Sequence, residues 1–228
     1  SGGNSMHLLN AARQHMVCIP VVHEVSGGIA AEYFNESHLS DGKAFVLVTA
    51  GPGLTNLVTA IAGAFLESRE LLVIGGQVKS TDLAKGVLRQ RGIQEIDGIS
   101  ITQSISKKAF CVEKPISKEF LVELVSESST SRKGPVVIEV CLDAQGAPAV
   151  ADSSTKNHLA AKVFATTFPS GEDIEELREK LLNCKRPVLL IGGGVSRKEF
   201  DQLLPEIEHW GLPVATTWNA ADRIDSGH

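Results

Sequence analysis

"KAFVLVTAGPGLTNLVTAIAGAFLES", residues 43–68, is the stretch on which the reading of the whole chain turns. It opens with a continuous apolar run, the pattern of a strand buried on both faces of a parallel sheet. A glycine–proline–glycine turn follows, and then Leu57, Val58, Ile61, Ala62, Phe65 and Leu66 recur at helical spacing. A buried strand passing through a small-residue turn into an amphipathic helix is the first half of a βαβ unit. The same pattern repeats on either side. "ELLVIGGQ" (70–77) reads as a strand ending in glycines, "ISKEFLVELVSESST" (116–130) as a helix through Phe120, Leu121, Leu124 and Val125, and "GPVVIEVCLD" (134–143) as a further strand. Upstream, "IPVV" (19–22) reads as the end of a buried strand that leaves the core at His23 and Glu24, just before a glycine- and alanine-rich helix. Strands alternating with helices argue for an α/β fold with a doubly wound parallel sheet.

Beyond Asp143 the pattern stops. Residues 144–169 carry prolines, small residues and polar residues without sustained periodicity, and read as an interdomain linker. A second, partial α/β domain is expected over 170–228. Ser170 with Asp173 forms the pattern of a capping box ahead of Ile174, Leu177 and Leu181. "RPVLLIGGGV" then reads as a strand and glycine turn, "SRKEFDQLLPEIEHWG" as a helix with Pro205 as a candidate kink, and "LPVATTW" as the next strand. Both ends read as interrupted: "SGGNSM" is a glycine turn of the kind that follows a strand, and the chain closes soon after one.

Composition narrows the function classes. The chain has 228 residues, 43% hydrophobic and 21% charged, which suits a soluble globular protein. With 22 Lys+Arg against 27 Asp+Glu, the net charge of −5 offers no electrostatic attraction to nucleic acid or to an anionic membrane. No apolar run is long enough to span a bilayer. The four cysteines (Cys18, Cys111, Cys141 and Cys184) form no CxxC pair and read as reduced core thiols of a cytoplasmic protein.

Ligands of open α/β sheets collect beyond the carboxyl ends of the strands. Gly2-Gly3-Asn4, Glu24, Gly51-Pro52-Gly53 and Gly75-Gly76-Gln77 are all expected there. The glycine turns would let a flat ligand approach the backbone closely, and Glu24 adds a carboxylate. Familiar single motifs do not match. "HEVSG" has Gly27 where HExxH needs a second histidine, "GPGLTN" lacks the lysine and hydroxyl residue of a Walker A loop, and "GGGV" at 192–195 departs from GxGxxG.

The combination is more informative than its parts. "VVHEVSGGIAAEYF", "VTAGPGLTNLVTAIAGAF", "GGQV", "RQRGIQEID" with "KKAF" after it, and "GPVVIEVCLD" occur in that order. Together they resemble the pyrimidine-binding domain of thiamine-diphosphate enzymes of the acetolactate synthase type. The tail "RPVLLIGGGV…LPVATTWNAADRID" is similar to the start of that family's central domain. The resemblance implies a pyrimidine-binding domain over 1–143 that lacks its first strand, and thiamine diphosphate as cofactor. It implies Glu24 as the catalytic carboxyl that hydrogen-bonds N1′ of the aminopyrimidine, with Gly51, Pro52, Gly53 and Asn56 beside the ring. Gln94, with Gly3 and Asn4, is implied to face the substrate. Burial at a strand end should raise the pKa of Glu24 and favour a shared proton. His23 reads as a packed or capping histidine. Val25 departs from a glutamine that many relatives carry, and no His-His pair lies near Gln94, unlike the simple pyruvate decarboxylase pattern.

The same resemblance implies that Mg2+ is held outside this segment, since Asp41-Gly42 and Asp97-Gly98 both lack the preceding glycine of a GDG motif. This segment alone is then expected to bind the cofactor poorly and not to turn over. A 2-keto acid is the implied substrate, its acyl unit passing to an acceptor, and a second copy of the chain the implied partner, in a homodimer or homotetramer. FAD stays open, as some synthases of this group carry it. The alternative from another class is a non-catalytic binding or assembly protein that binds a nucleotide at the 192–194 turn.

Overall fold

The computed structural model describes residues 2–37, 42–130, 132–148, 150 and 168–227. The chain divides into two compact units, residues 1–164 and 165–228. In the first, a short 3-10 turn at Gly3–Ser5 leads into α1 (Met6–His15), followed by α2 (Glu24–Ser37), β1 (Val46–Val48), α3 (Pro52–Glu67) and β2 (Leu71–Gln77). Then come α4 (Gly98–Thr102), β3 (Lys108–Val112), α5 (Lys118–Ser126), β4 (Pro135–Cys141) and α6 (Leu142–Gly146). The strands form one parallel sheet in the order β1-β2-β4-β3.

Alternation along the strands puts helices on both faces. Leu71, Val73 and Val137 pack with Ala31 of α2 and with Leu57, Ala60, Ile61 and Ala64 of α3. Their neighbours Leu72, Val136 and Ile138 turn the other way, onto Leu124 and Phe120 of α5. Burying side chains such as Leu57, Ile61 and Leu71 completely contributes roughly 1.5–3 kcal/mol each. A small-residue contact lets α2 lie close on α3. A Cβ on Gly28 would stand 2.5 Å from the Ala60 Cβ and 3.0 Å from Leu57 Cδ2. At the far end of α2, the Asn35 side chain donates to the Ala44 and Glu70 carbonyls and accepts from the Ala44 N–H, tying the helix to the chain entering β1 and β2.

Several sequence expectations need correction. Residues 19–22 are not a buried strand: they belong to no ladder among the described residues, and Val17, Ile19 and Val22 are exposed. β1 is an edge strand that bonds to β2 alone among the described strands, and residues 19–22 do not pair with its free edge despite their composition. β3 and α1 were not anticipated as elements. Of the cysteines, Cys141 is buried and Cys111 half-buried, but Cys18 and Cys184 are exposed; all are free thiols. The stretch read as a linker, 144–169, lies largely outside the described residues, and α6 carries regular structure on to Gly146.

The second unit holds α7 (Gly171–Asn183), β5 (Leu189–Ile191), α8 (Arg197–Trp210) and β6 (Val214–Thr216), with β5 and β6 paired in parallel. The Ser170–Asp173 capping box is formed, with the Ser170 hydroxyl accepting from the Asp173 N–H at 3.2 Å. α8 continues past Pro205 and ends at Gly211 in a left-handed conformation. Ile191, Phe200, Ile207 and Ala220 make its core. Gly193 is accounted for by packing, since a Cβ there would stand 2.7 Å from Asn219 Cβ. No helix among the described residues is long and apolar enough to cross a membrane.

Candidate functional site

Glu24 and Asn56 lie 32 residues apart, yet their side chains meet: Asn56 Nδ2 donates to Glu24 Oε2 at 2.9 Å. Helix geometry explains the meeting. Glu24 stands one turn before Gly28 on α2, and Asn56 one turn before Ala60 on α3. Gly28 packs tightly on Ala60, and the residues one turn back on the same faces are brought together too. Glu24 opens α2, where the helix dipole favours a negative charge. Asn56 follows the turn that opens α3, with Gly51 as N-cap at φ 65° and Pro52 in the first turn.

The expectation for the charge of Glu24 is reversed. The hydrogen bond from Asn56, then a backbone N–H, outweigh the modest burial, and its pKa is lowered from 4.5. Glu24 is half-buried and ionised at neutral pH rather than deep in a core. His23 caps, as read from the sequence: its Nδ1 accepts the Val25 N–H at 3.3 Å.

The other candidates gather around one loop. Residues 83–97, between β2 and α4, form no helix or strand. Within it Gln94 is exposed and held at φ 61°, a left-handed conformation costly for a residue with a side chain. Its carbonyl packs on Gly51, leaving no space for a Cβ there. Gly53 lies against Thr49, whose Cγ2 would meet an added Cβ at 3.1 Å. Asn4 Nδ2 donates to the Ile93 carbonyl at 3.3 Å, and the Asn4 carbonyl accepts from Gln145 Nε2 at 2.7 Å and lies over Gly76. Gly3 sits in the 3-10 turn with open space around it. Thus the structure joins Glu24 to Asn56, Gly51 to Gln94, and Asn4 to the residue preceding Gln94.

Two carboxylates near this loop escaped the sequence reading. Glu95 is buried, and its side chain accepts N–H groups from Ala84, from Arg91 at 2.8 Å and from Gly92 at 3.1 Å. Burial pushes its pKa up, but these backbone donors push harder, and it is lowered overall. Glu139, almost completely buried in β4, accepts from Gln77 Nε2 at 3.1 Å; the same amide donates to the Ile96 carbonyl at 3.1 Å. Burial raises Glu139 to about 7, against the lowering effect of Gln77. Gly98 lies directly on the Glu139 carboxyl. A glutamate interrupting the apolar run of "PVVIEVC" was the signal in the sequence for this second one.

Residues 1–101 match the family described as thiamine pyrophosphate enzyme, N-terminal TPP binding domain. The chain is 33% identical over 210 residues to the acetolactate synthase large subunit of Corynebacterium glutamicum, which covers 91% of this chain and 32% of that protein. It is 30% identical over 209 residues to an acetolactate synthase of Mycobacterium avium, again 91% of this chain and 32% of that one. To the chloroplastic acetolactate synthase of Arabidopsis thaliana it is 30% identical over 223 residues, 95% of this chain and 32% of the relative. The chain therefore spans about a third of the length of the curated relatives it matches. Its sheet, its turns and these likenesses agree: residues 1–101 carry the N-terminal TPP binding domain of the thiamine pyrophosphate enzymes, and the chain as a whole is acetolactate synthase-like in sequence.

Proposed function

We propose that this chain is the pyrimidine-binding portion of an enzyme that decarboxylates a pyruvate-like 2-keto acid and transfers the acyl unit to an acceptor carbonyl. The observation that carries the reading is the Asn56–Glu24 hydrogen bond at 2.9 Å, set beside the Gly51-Pro52-Gly53 turn. The residues present fit the aminopyrimidine of thiamine diphosphate. An ionised carboxylate, lowered in pKa by an amide donor, suits a ring nitrogen that carries a proton. The glycines on either side of Pro52 bring no side-chain bulk to the flank of the ring.

In this reading Glu24 takes the hydrogen bond from N1′ and holds or returns the proton at that atom. Asn56 fixes the carboxylate through Oε2, so it meets the ring in one orientation. Gly51, Pro52 and Gly53 line the ring, and Gln94, with Gly3 and Asn4, faces the substrate. When bound, thiamine diphosphate supplies the nucleophilic carbon and the electron sink that the decarboxylation needs. Mg2+ with ligands outside this segment, a homodimer or homotetramer, and a cytoplasmic location go with this reading; FAD is not required by it. Among the described residues no cluster of three or more His, Cys, Asp or Glu could hold a metal ion.

The test is Glu24→Gln in the native protein with pyruvate, thiamine diphosphate and Mg2+. The expected result is a loss of turnover of at least about 10²-fold with an unchanged circular dichroism spectrum. Turnover within a factor of two of the native protein would sink the assignment.

A further inference from the structure

Gln94 and Glu95 are neighbours with opposite environments. Gln94 is exposed in a left-handed conformation, and Glu95 is buried. A non-glycine residue holds such a conformation when its surroundings over-determine it. The carbonyls of Ile93 and Ile96, on either side, are each held by a side-chain amide, from Asn4 at 3.3 Å and from Gln77 at 3.1 Å. Between them the Glu95 carboxylate reaches back along the chain. It gathers the N–H groups of Ala84, Arg91 and Gly92 onto one side chain, closing an otherwise irregular loop on itself.

Gly92 has to be small for this closure, because a Cβ there would stand 2.5 Å from Val78 Cγ1. The loop is thereby pressed onto the end of β2, and the Gln94 carbonyl onto Gly51. Among the described residues, no other side chain accepts as many of this loop's N–H groups.

We infer that Glu95 is a positioning residue for the reaction: by clamping the N–H groups of Ala84, Arg91 and Gly92 it fixes the loop that presents Gln94 beside Gly51. This rests on the reading of Gln94 as substrate-facing. Glu95 touches neither cofactor nor substrate; it acts through its neighbour. An amide in its place keeps one acceptor oxygen and turns an NH2 group toward backbone donors, so Glu95→Gln opens the clamp with little change in volume.

The test is a double-mutant cycle in the native protein, with pyruvate as substrate, joined to amide hydrogen exchange. Ala84 bonds one carboxylate oxygen and Arg91 and Gly92 the other, so in Glu95→Gln exchange is expected to accelerate at least tenfold on the side that meets the NH2 group. The value of kcat/KM is expected to fall about 10–100-fold in Gln94→Ala and in Glu95→Gln alike. The double variant should be no worse than Gln94→Ala, with thiamine diphosphate affinity unchanged throughout. A merely structural Glu95 would instead give losses that multiply in the double variant, and that result overturns the inference. So does a Glu95→Gln protein with native kinetics while Gln94→Ala is impaired. A Gln94→Ala protein with native kinetics would overturn the reading of Gln94 itself, and this inference with it. Should Glu95→Gln not fold, Glu95→Asp, too short to reach all three donors, completes the same cycle.

Discussion

Glu24 is placed by two helices, and Gln94 by a loop with no regular secondary structure. On the helix side, the packing of Gly28 against Ala60 sets a distance one turn away, and a single amide completes the geometry. On the loop side there is no periodicity to exploit. Position comes from polar side chains that seize backbone groups: Glu95 from within, Gln77 and Asn4 from outside. The carboxylates follow suit. Glu24 is half-buried and its pKa is lowered, whereas Glu139, which orients Gln77 from below, is buried and raised to about 7. A helix pair can thus carry a charge at its open end, while the loop's anchors lie inside: Glu95 stays favourable as a carboxylate because three backbone N–H groups meet it, and Glu139, with one amide donor, does not.

That difference can be broken first at Glu139. The folded chain holds the Glu139 proton up to about pH 7, while an unperturbed carboxyl releases it near 4.5. A raised pKa contributes stability that is fully present below the unfolded value and is lost as pH rises through the folded one, here by about 3 kcal/mol in all. Denaturant unfolding of the native protein from pH 4.5 to 7.5 should show this decline, and Glu139→Gln should remove it. Glu24 runs the other way: its lowered pKa adds stability above 4.5 that is lost as pH falls through the folded value.

The helix side is broken at its contact point. Gly28→Ala drives a methyl into Ala60 and should cost roughly 1–3 kcal/mol. It should also separate Glu24 from Asn56, so turnover falls beyond what the loss of folded protein explains; melting curves and turnover per folded molecule separate the two effects. Asn56→Ala gives the smallest change. The bond it removes is exposed to water, so stability should change by less than about 1 kcal/mol. What should move is the Glu24 titration, upward toward 4.5, as followed by carboxyl NMR.

The contrast also explains what could be read from residue order. The β1-turn-α3 unit is written in apolar spacing and glycines, and residues 43–68 disclose it. Glu24 and Asn56 were legible through their company with GPGLTN, but their hydrogen bond required knowing that Gly28 meets Ala60. Hydrophobicity misled at 19–22, because an apolar run is buried only if a neighbouring strand receives its backbone, and composition does not say whether one does. Lys107 and Lys108 disguised the start of β3; both lysines are buried, Lys107 donating to the Glu127 and Thr130 carbonyls and Lys108 paired with the Glu127 carboxylate. Glu95 was visible only as part of "RQRGIQEID", and no role could be read for it. Its function in the loop lies in three backbone contacts, one of them to a residue eleven positions upstream, and backbone partners leave no mark on side-chain pattern.

The most direct test of the central claim is calorimetric titration of thiamine diphosphate, with Mg2+ present, into the native protein and into its Glu24→Gln variant. The account predicts saturable binding to the native protein and an affinity at least about tenfold weaker in the variant, where the ring loses a charge-assisted hydrogen bond. Equal affinity in the two proteins, or no binding to the native one, would contradict it.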